Sequence, residues 1–241
     1  MKHNISLGVN IDHAATLRQV RGNTTDYPDL LELTRLAKKG GASQITIHLR
    51  EDRRHIQDSD VRFLCQRSKL PINLEMAVSP EMLKIALKNK PKWVCFVPEK
   101  RQELTTEGGL DIEKCFHAIQ SMSIRLKNKK IKTSFFIDPS ERQVRLSAQA
   151  GADAIEFHTG HWVLAKGSKK IKIWKKLVKA SELAHDLGLR VHAGHGLDYS
   201  HAQLIRQLPN LVEVNIGHSL ICLALFEGLE KVVQKMKHAL K

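Results

Sequence analysis

The chain has 241 residues, 42% of them hydrophobic, and 39 Lys and Arg against 25 Asp and Glu give a formal charge of +14. A chain of this length buries about 70–75% of its unfolded surface and can build a core without disulfides or metals, and its four cysteines (Cys65, Cys95, Cys115, Cys222) form no CxxC pair, which argues against zinc-finger and dithiol redox modules. The start, MKHNISLGVN, lacks a secretory h-region, and the longest apolar run, residues 220–226, is too short to span a bilayer, so we expect a cytoplasmic protein with no membrane partner.

In chain order, the first apolar run, LGVNID, ends on Asn10, Asp12 and His13 and leads into TLRQVRG. TRLAKKGGA then closes a helix with lysines and glycines, which suit the negative helix end and a left-handed cap. QITIHLR is the second strand and INLEMAV the third. SPEMLKIALKNK follows as a helix with Ser79 as N-cap, Pro80 in the first turn and Met82, Leu83, Ala86 and Leu87 as its apolar stripe. WVCFVP is the fourth strand, and Cys95 within it should pack as a small hydrophobe, as should Cys222 near the end of the chain. TSFFID is the fifth, followed by a helix opening at Asp138 and Pro139 and stopping at Gly151. AIEFHTG, RVHAGHG and VEVNIGH complete eight β-rich runs, and ELAHDLGL ends a helix at Gly188 between the sixth and seventh.

These runs recur about every 29 residues, room for a strand, a helix and two loops, which predicts a (β/α)8 TIM barrel in one domain over residues 1–241. An open doubly wound sheet is the rival, weakened because no GxGxxG follows the first strand. Extra loop or helical segments are expected after strands 1, 4 and 6, where the spacing is longest. The segment after strand 4, PEKRQELTTEGGLD, reads either as a surface loop or as a lid over a ligand, and its place on the face where barrel sites form favours the lid.

Every strand carries polar groups at its carboxyl end: Asn10, Asp12 and His13; His48 and Arg50, with His55 beyond; Glu75; Glu99, Lys100 and Arg101; Asp138; Glu156 and His158; His192 and His195; Asn215 and His218. In a barrel these ends share one face, the face of the active site. Glu75 lies between Leu74 and Met76 in an apolar strand, where a carboxylate needs a partner or a raised pKa, so a catalytic base is preferred to a structural ion pair. Asp138 before Pro139 reads better as a helix cap, and His192 equally well as a packed histidine or a functional one. A metal site is disfavoured: HxH and HExxH are missing, and the spacing of His192 and His195 turns them to opposite faces. Phosphate is the better ligand. AGHGL and NIGHSL put Gly196, and Gly217 with His218, where strand ends lead into helical segments whose N–H groups bind anions. The positive charge, spread over lysine-rich helices and loops with only two tyrosines for stacking, reads as a solvated surface whose field draws small anions, not as a nucleic-acid surface.

LGVNIDHAATLRQVRG, TIHLREDRRHI, NLEMAV, VPEKRQELTTEGGL, IEFHTG, AGHGL and NIGHSLI closely resemble the pyridoxine 5′-phosphate synthase family, the ring-closing enzymes of one vitamin B6 pathway, from about residue 7 to the last helix. The resemblance implies a barrel that condenses 3-amino-2-oxopropyl phosphate with 1-deoxy-D-xylulose 5-phosphate to pyridoxine 5′-phosphate, inorganic phosphate and water, with no metal and no organic cofactor. It implies that Asn10, Arg21, Gly196, Gly217 and His218 contact the amino-ketone phosphate, and that Asp12, His13, Arg50, His55 and Thr105 hold the deoxyxylulose phosphate. His48 and Glu75 would accept protons, His195 would donate one, and Glu156 would stabilise a transition state. It also implies dimers assembled into a homo-octamer, with Arg21 reaching a neighbouring subunit's site. Two positions depart from the family pattern: His192 stands where Asn is expected and Trp162 where Tyr is expected. The alternatives are a phosphosugar isomerase or epimerase on the same barrel and a basic nucleic-acid-binding protein.

Overall fold

The computed structural model describes residues 5–22, 24–99 and 108–241. Eight parallel strands close into a barrel in chain order, β8 pairing back onto β1. The strands are β1 (Ser6–Asn10), β2 (Gln44–His48), β3 (Ile72–Met76), β4 (Trp93–Phe96), β5 (Lys132–Ile137), β6 (Ala154–His158), β7 (Arg190–Gly194) and β8 (Leu211–Ile216). Around them lie α1 (Asp12–Gln19), α2 (Leu30–Gly40), α3 (Asp58–Arg67), α4 (Pro80–Asn89), α5 (Ile112–Lys127), α6 (Glu141–Gln149), α7 (Gly160–Leu164), α8 (Gly167–Asp186), α9 (Tyr199–Ile205), α10 (His218–Glu227) and α11 (Leu229–Ala239). The repeat spacing therefore gives the predicted (β/α)8 barrel. Extra helices occupy the long connections after β1 and β6, as expected, and a second helix also follows β8, where the spacing gave no warning. The candidate lid after β4 lies largely in 100–107, outside the described residues.

Both faces of these strands are covered, which is why β2 and β6 are buried along their whole length. Outward residues such as Ile45, Ile47, Ile155 and Phe157 pack under the helices. The barrel interior is polar instead. Gln44 Nε2 donates to Glu213 Oε1 at 2.6 Å, Thr46 Oγ1 donates to Asn215 Oδ1 at 3.1 Å, and Asn215 Nδ2 donates to Glu156 Oε2 at 2.7 Å. Those bonds satisfy groups that would otherwise be costly to bury. Among the described residues, no helix is long and apolar enough to cross a membrane.

Local signals behave as read in most places. Ser79 caps α4 by accepting from Met82 N, and Gly41, at φ 97°, gives α2 its left-handed end. Two readings fail. Asp138 does not cap a helix: Ser140 holds the position before α6, and the Asp138 carboxylate instead faces the His158 ring. Cys222 is exposed, with Sγ 3.5 Å from His218 Nε2, because the apolar run 220–226 is helical and only part of its circumference meets the barrel; Phe226 is 87% exposed.

Candidate active site

Register decides which rim residues meet. His48 on β2 pairs with Glu75 on β3, Phe136 on β5 with Glu156 on β6, and Gly194 on β7 with Asn215 on β8. At the carboxyl ends of these strands opens a cavity of about 350 Å³, walled by Asn10, His13, Glu75, Glu156, His195, Gly196, Gly217 and His218 together with Val97, Phe136 and Asn215. The lining joins residues from 10 to 218 of the sequence.

Behind the wall, Asp12 is tied down from two sides. Asn10 Nδ2 donates to its Oδ2 at 2.7 Å and the His48 backbone N–H donates to its Oδ1 at 2.9 Å. Buried His48 bonds through Nε2 to Glu99 Oε1 at 2.8 Å, and its Nδ1 lies 3.8 Å from Glu75 Oε2. Glu99 is held in turn by the Glu51 backbone N–H at 2.9 Å. Arg50 is 4% exposed, and its Nε has no hydrogen-bond partner among the described residues. The His55 ring sits 6.1 Å from that of His48, and the His13 ring 4.9 Å from that of His218.

Arg21 does not join this cluster: it is exposed just beyond α1. Thr105 lies outside the described residues. His192 and His195 occupy different levels of β7 and its exit. His192 is buried inside the barrel, 3.3 Å from Glu213 and edge-on to Trp93, whereas His195 faces the cavity.

The two glycine motifs differ in how they open the rim. Gly217 directly precedes α10, whose first turn has no side-chain cap, so its N–H groups suit an anion. A Cβ at Gly217 would fall 3.0 Å from Asn10 Cβ, so a side chain there would crowd Asn10. Gly196 does not start a helix. α9 begins later and is capped by its own Asp198, which accepts from His201 N, so Gly196 serves as a left-handed turn at φ 80°.

Burial sets the proton affinities. It raises Glu75 well above the usual carboxylate range, reinforced by the nearby Glu156 and Asp12 and opposed by Arg50. Burial pushes Glu156 to about 8 despite its bond from Asn215, and Glu213 to about 7. Glu99 goes the other way: burial would raise it, but the His48 ring and the Glu51 N–H together hold it low. Desolvation lowers His195 to about 4, with the His158 ring adding to the effect, and lowers His13 and His55 as well. The rim thus combines carboxyls that hold protons with imidazoles that shed them, an arrangement suited to moving protons near neutral pH.

A stability test follows from the same groups. A carboxyl whose folded pKa lies above its ordinary value stabilises the fold at low pH and loses that contribution as pH rises through the folded pKa. Glu156 and Glu213 place the loss between their ordinary 4.5 and about 8. His192, lowered to about 3 by burial, has the opposite slope, confined below 6.5. We therefore expect the Tm to fall between roughly pH 6.5 and 8.5, corresponding to a loss on the order of 1–3 kcal/mol. Glu156→Gln should flatten the decline. Thermal melts that stay level across this range, or decline equally in the variant, would contradict the burial argument.

Among the described residues, two groups of three donors converge closely enough to hold a metal ion: Asp12, His48 and Glu75, and Asp138, His158 and His161. Reading the sequence did not anticipate the second group, because its members come from three separate elements. It also gave no role to Asn215 or Glu99, although both were visible as polar residues at strand ends.

A parallel eight-stranded barrel with buried carboxylates and imidazoles around a cavity at its carboxyl face has the architecture of a (β/α)8-barrel enzyme, with groups suited to acid–base chemistry. Solved structures share the fold: a 4-hydroxy-2-oxoglutarate aldolase/2-deydro-3-deoxyphosphogluconate aldolase from TTHB1 (TM-score 0.65, 16% identity, covering 100% of this chain and 96% of that one) and a phosphoribosylanthranilate isomerase from Thermotoga maritima (0.62, 9%, 98% of each). The family model described as "Pyridoxal phosphate biosynthesis protein PdxJ" matches residues 7–241, and the chain belongs to that family. Relatives named pyridoxine 5′-phosphate synthase include one from Bdellovibrio bacteriovorus, 59% identical over 241 residues and covering 100% of both chains, and one from Photobacterium profundum, 49% identical over 236 residues and covering 98% of this chain and 96% of its own.

Proposed function

We propose that the chain is a pyridoxine 5′-phosphate synthase, a ring-forming enzyme that condenses 3-amino-2-oxopropyl phosphate with 1-deoxy-D-xylulose 5-phosphate and releases inorganic phosphate and water. The observation that carries the reading is the convergence of Glu75, Glu156 and His195 with Asn10, Gly217 and His218 on one cavity, in a chain of this family.

In this reading the amino-ketone phosphate lies against Gly196, Gly217 and His218, with the uncapped start of α10 supplying backbone donors. The deoxyxylulose phosphate is held by Asp12, His13, Arg50, His55 and Thr105; the unpaired Nε of buried Arg50 suits an anionic partner. The amine attacks the ketone, and loss of water leaves an imine. His48 and Glu75 then take protons as the imine rearranges and phosphate leaves. His195, neutral at pH 7 in the free site, donates its ring N–H to the developing oxyanion, as a neutral imidazole can. Glu156, fixed by Asn215, stabilises charge as the carbon–carbon bond closes the ring, and loss of the resulting hydroxyl as a second water makes the ring aromatic.

The finer expectations belong to the same proposal. The chain acts as one domain over 1–241, in the cytoplasm, and assembles into a homo-octamer of dimers in which Arg21 completes a neighbour's site. The exposed position of Arg21 is compatible with that role, and sedimentation of the purified protein tests it.

Incubation with both phosphates should yield pyridoxine 5′-phosphate and one phosphate per turnover. Turnover of deoxyxylulose phosphate alone, without the amine, would favour a phosphosugar isomerase, and well-folded protein producing nothing from the pair would reject the assignment.

A further inference from the structure

We propose that Asp138, His158 and His161 form a binding site for a divalent transition-metal cation of the Zn²⁺ class, beside the catalytic cavity and outside its wall. Asp138 follows β5, His158 ends β6, and His161 lies in the first turn of α7. The β5–β6 register, Ile137 opposite Phe157, brings the first two together. One ligand atom from each of the three residues lies within 4.8 Å of the others.

The second observation is an unmet need for a partner. His158 is 3% exposed, and neither its Nδ1 nor Asp138 Oδ1 has a hydrogen-bond partner among the described residues. The two atoms face each other at 3.5 Å. A charge-assisted hydrogen bond between them would close to about 2.8 Å. Two ligands roughly 2.1 Å from a tetrahedral ion stand about 3.4 Å apart, so the observed gap matches ligands of a shared cation. Two imidazoles and one carboxylate are a donor set for Zn²⁺ and its neighbours in the first transition row, and leave a coordination position for water. His161 is exposed and opens the group to solvent. The other convergent trio is worse suited, because both Asp12 oxygens are already engaged, by Asn10 and by the His48 N–H.

The site has a functional consequence. The His158 ring lies 4.9 Å from that of His195, so a bound ion fixes a ring and adds positive charge beside the proposed proton donor. Filling the site should slow turnover; this consequence alone rests on the synthase reading.

The test uses the full-length protein after chelator treatment. Zn²⁺ is titrated by calorimetry, and Co²⁺ by its visible absorption, which reports the geometry of a protein-bound ion without reference to activity. One ion should bind per chain. His161→Ala, a surface change, and Asp138→Asn should each weaken binding by at least about tenfold, whereas Cys222→Ser should leave it unchanged. Absence of stoichiometric binding overturns the proposal, as does binding that survives His161→Ala but is lost in Cys222→Ser, which would assign the ion to the Cys222–His218 pair. Binding as described without any change in turnover would retain the site and remove only its link to His195.

Discussion

Glu75→Gln is expected to lower kcat by about 10²–10⁴-fold, the usual worth of a positioned general base, while leaving the melting temperature unchanged or higher. The two halves of this expectation have one cause. Glu75 projects from near the carboxyl end of β3 into the cavity, and burial with Glu156 and Asp12 nearby pushes its pKa well up. Burial thus penalises its charged form in the free protein, and a neutral amide of the same shape removes little favourable charge. Gln cannot accept a substrate proton, so the chemical step fails. KM should move little, because phosphate recognition is assigned to other residues. Steady-state kinetics beside thermal melts checks both halves. A kcat within about tenfold of the parent would remove Glu75 as a base, and a large drop in Tm would instead make it part of a structural ion pair.

His195→Asn should also cost about 10²–10³-fold in kcat, again in a folded protein. The choice of Asn follows from the backbone. His195 sits at φ 78°, a conformation that Asn tolerates better than most side chains. His195→Ala would add backbone strain to the loss of the imidazole, so the two variants separate positioning of the loop from chemistry. Both should lose turnover to the same extent, but only the alanine variant should melt lower. Near-normal turnover in His195→Asn would transfer the donor role to another group, and equal destabilisation of both variants would show that the ring serves packing against Phe136 and His158.

Much of the site was legible along the chain because a β/α unit repeats a simple rule: the functional end of each strand is its carboxyl end. Asn10, Glu75, Glu156 and His218 could be picked out by position alone, and all four reach the cavity. The rule says nothing about partners. Asn215 and Glu99 lie at strand ends too, yet only the closed barrel reveals that one orients Glu156 and the other holds His48. Asp138 shows the same limit. Asp before Pro and Ser is a good local cap signal, and the neighbouring strand overrode it by presenting His158.

The order of elements, the eight strands, most helix ends and the identity of the rim residues were determined by the sequence itself, since β-branched runs, caps and glycine stops act over a few residues. The tertiary structure alone decided which rim groups touch, which carboxyls hold their protons, and that Asp138, His158 and His161 converge. Those properties depend on distances between residues up to about two hundred positions apart, fixed by strand register and close packing once the sheet closes.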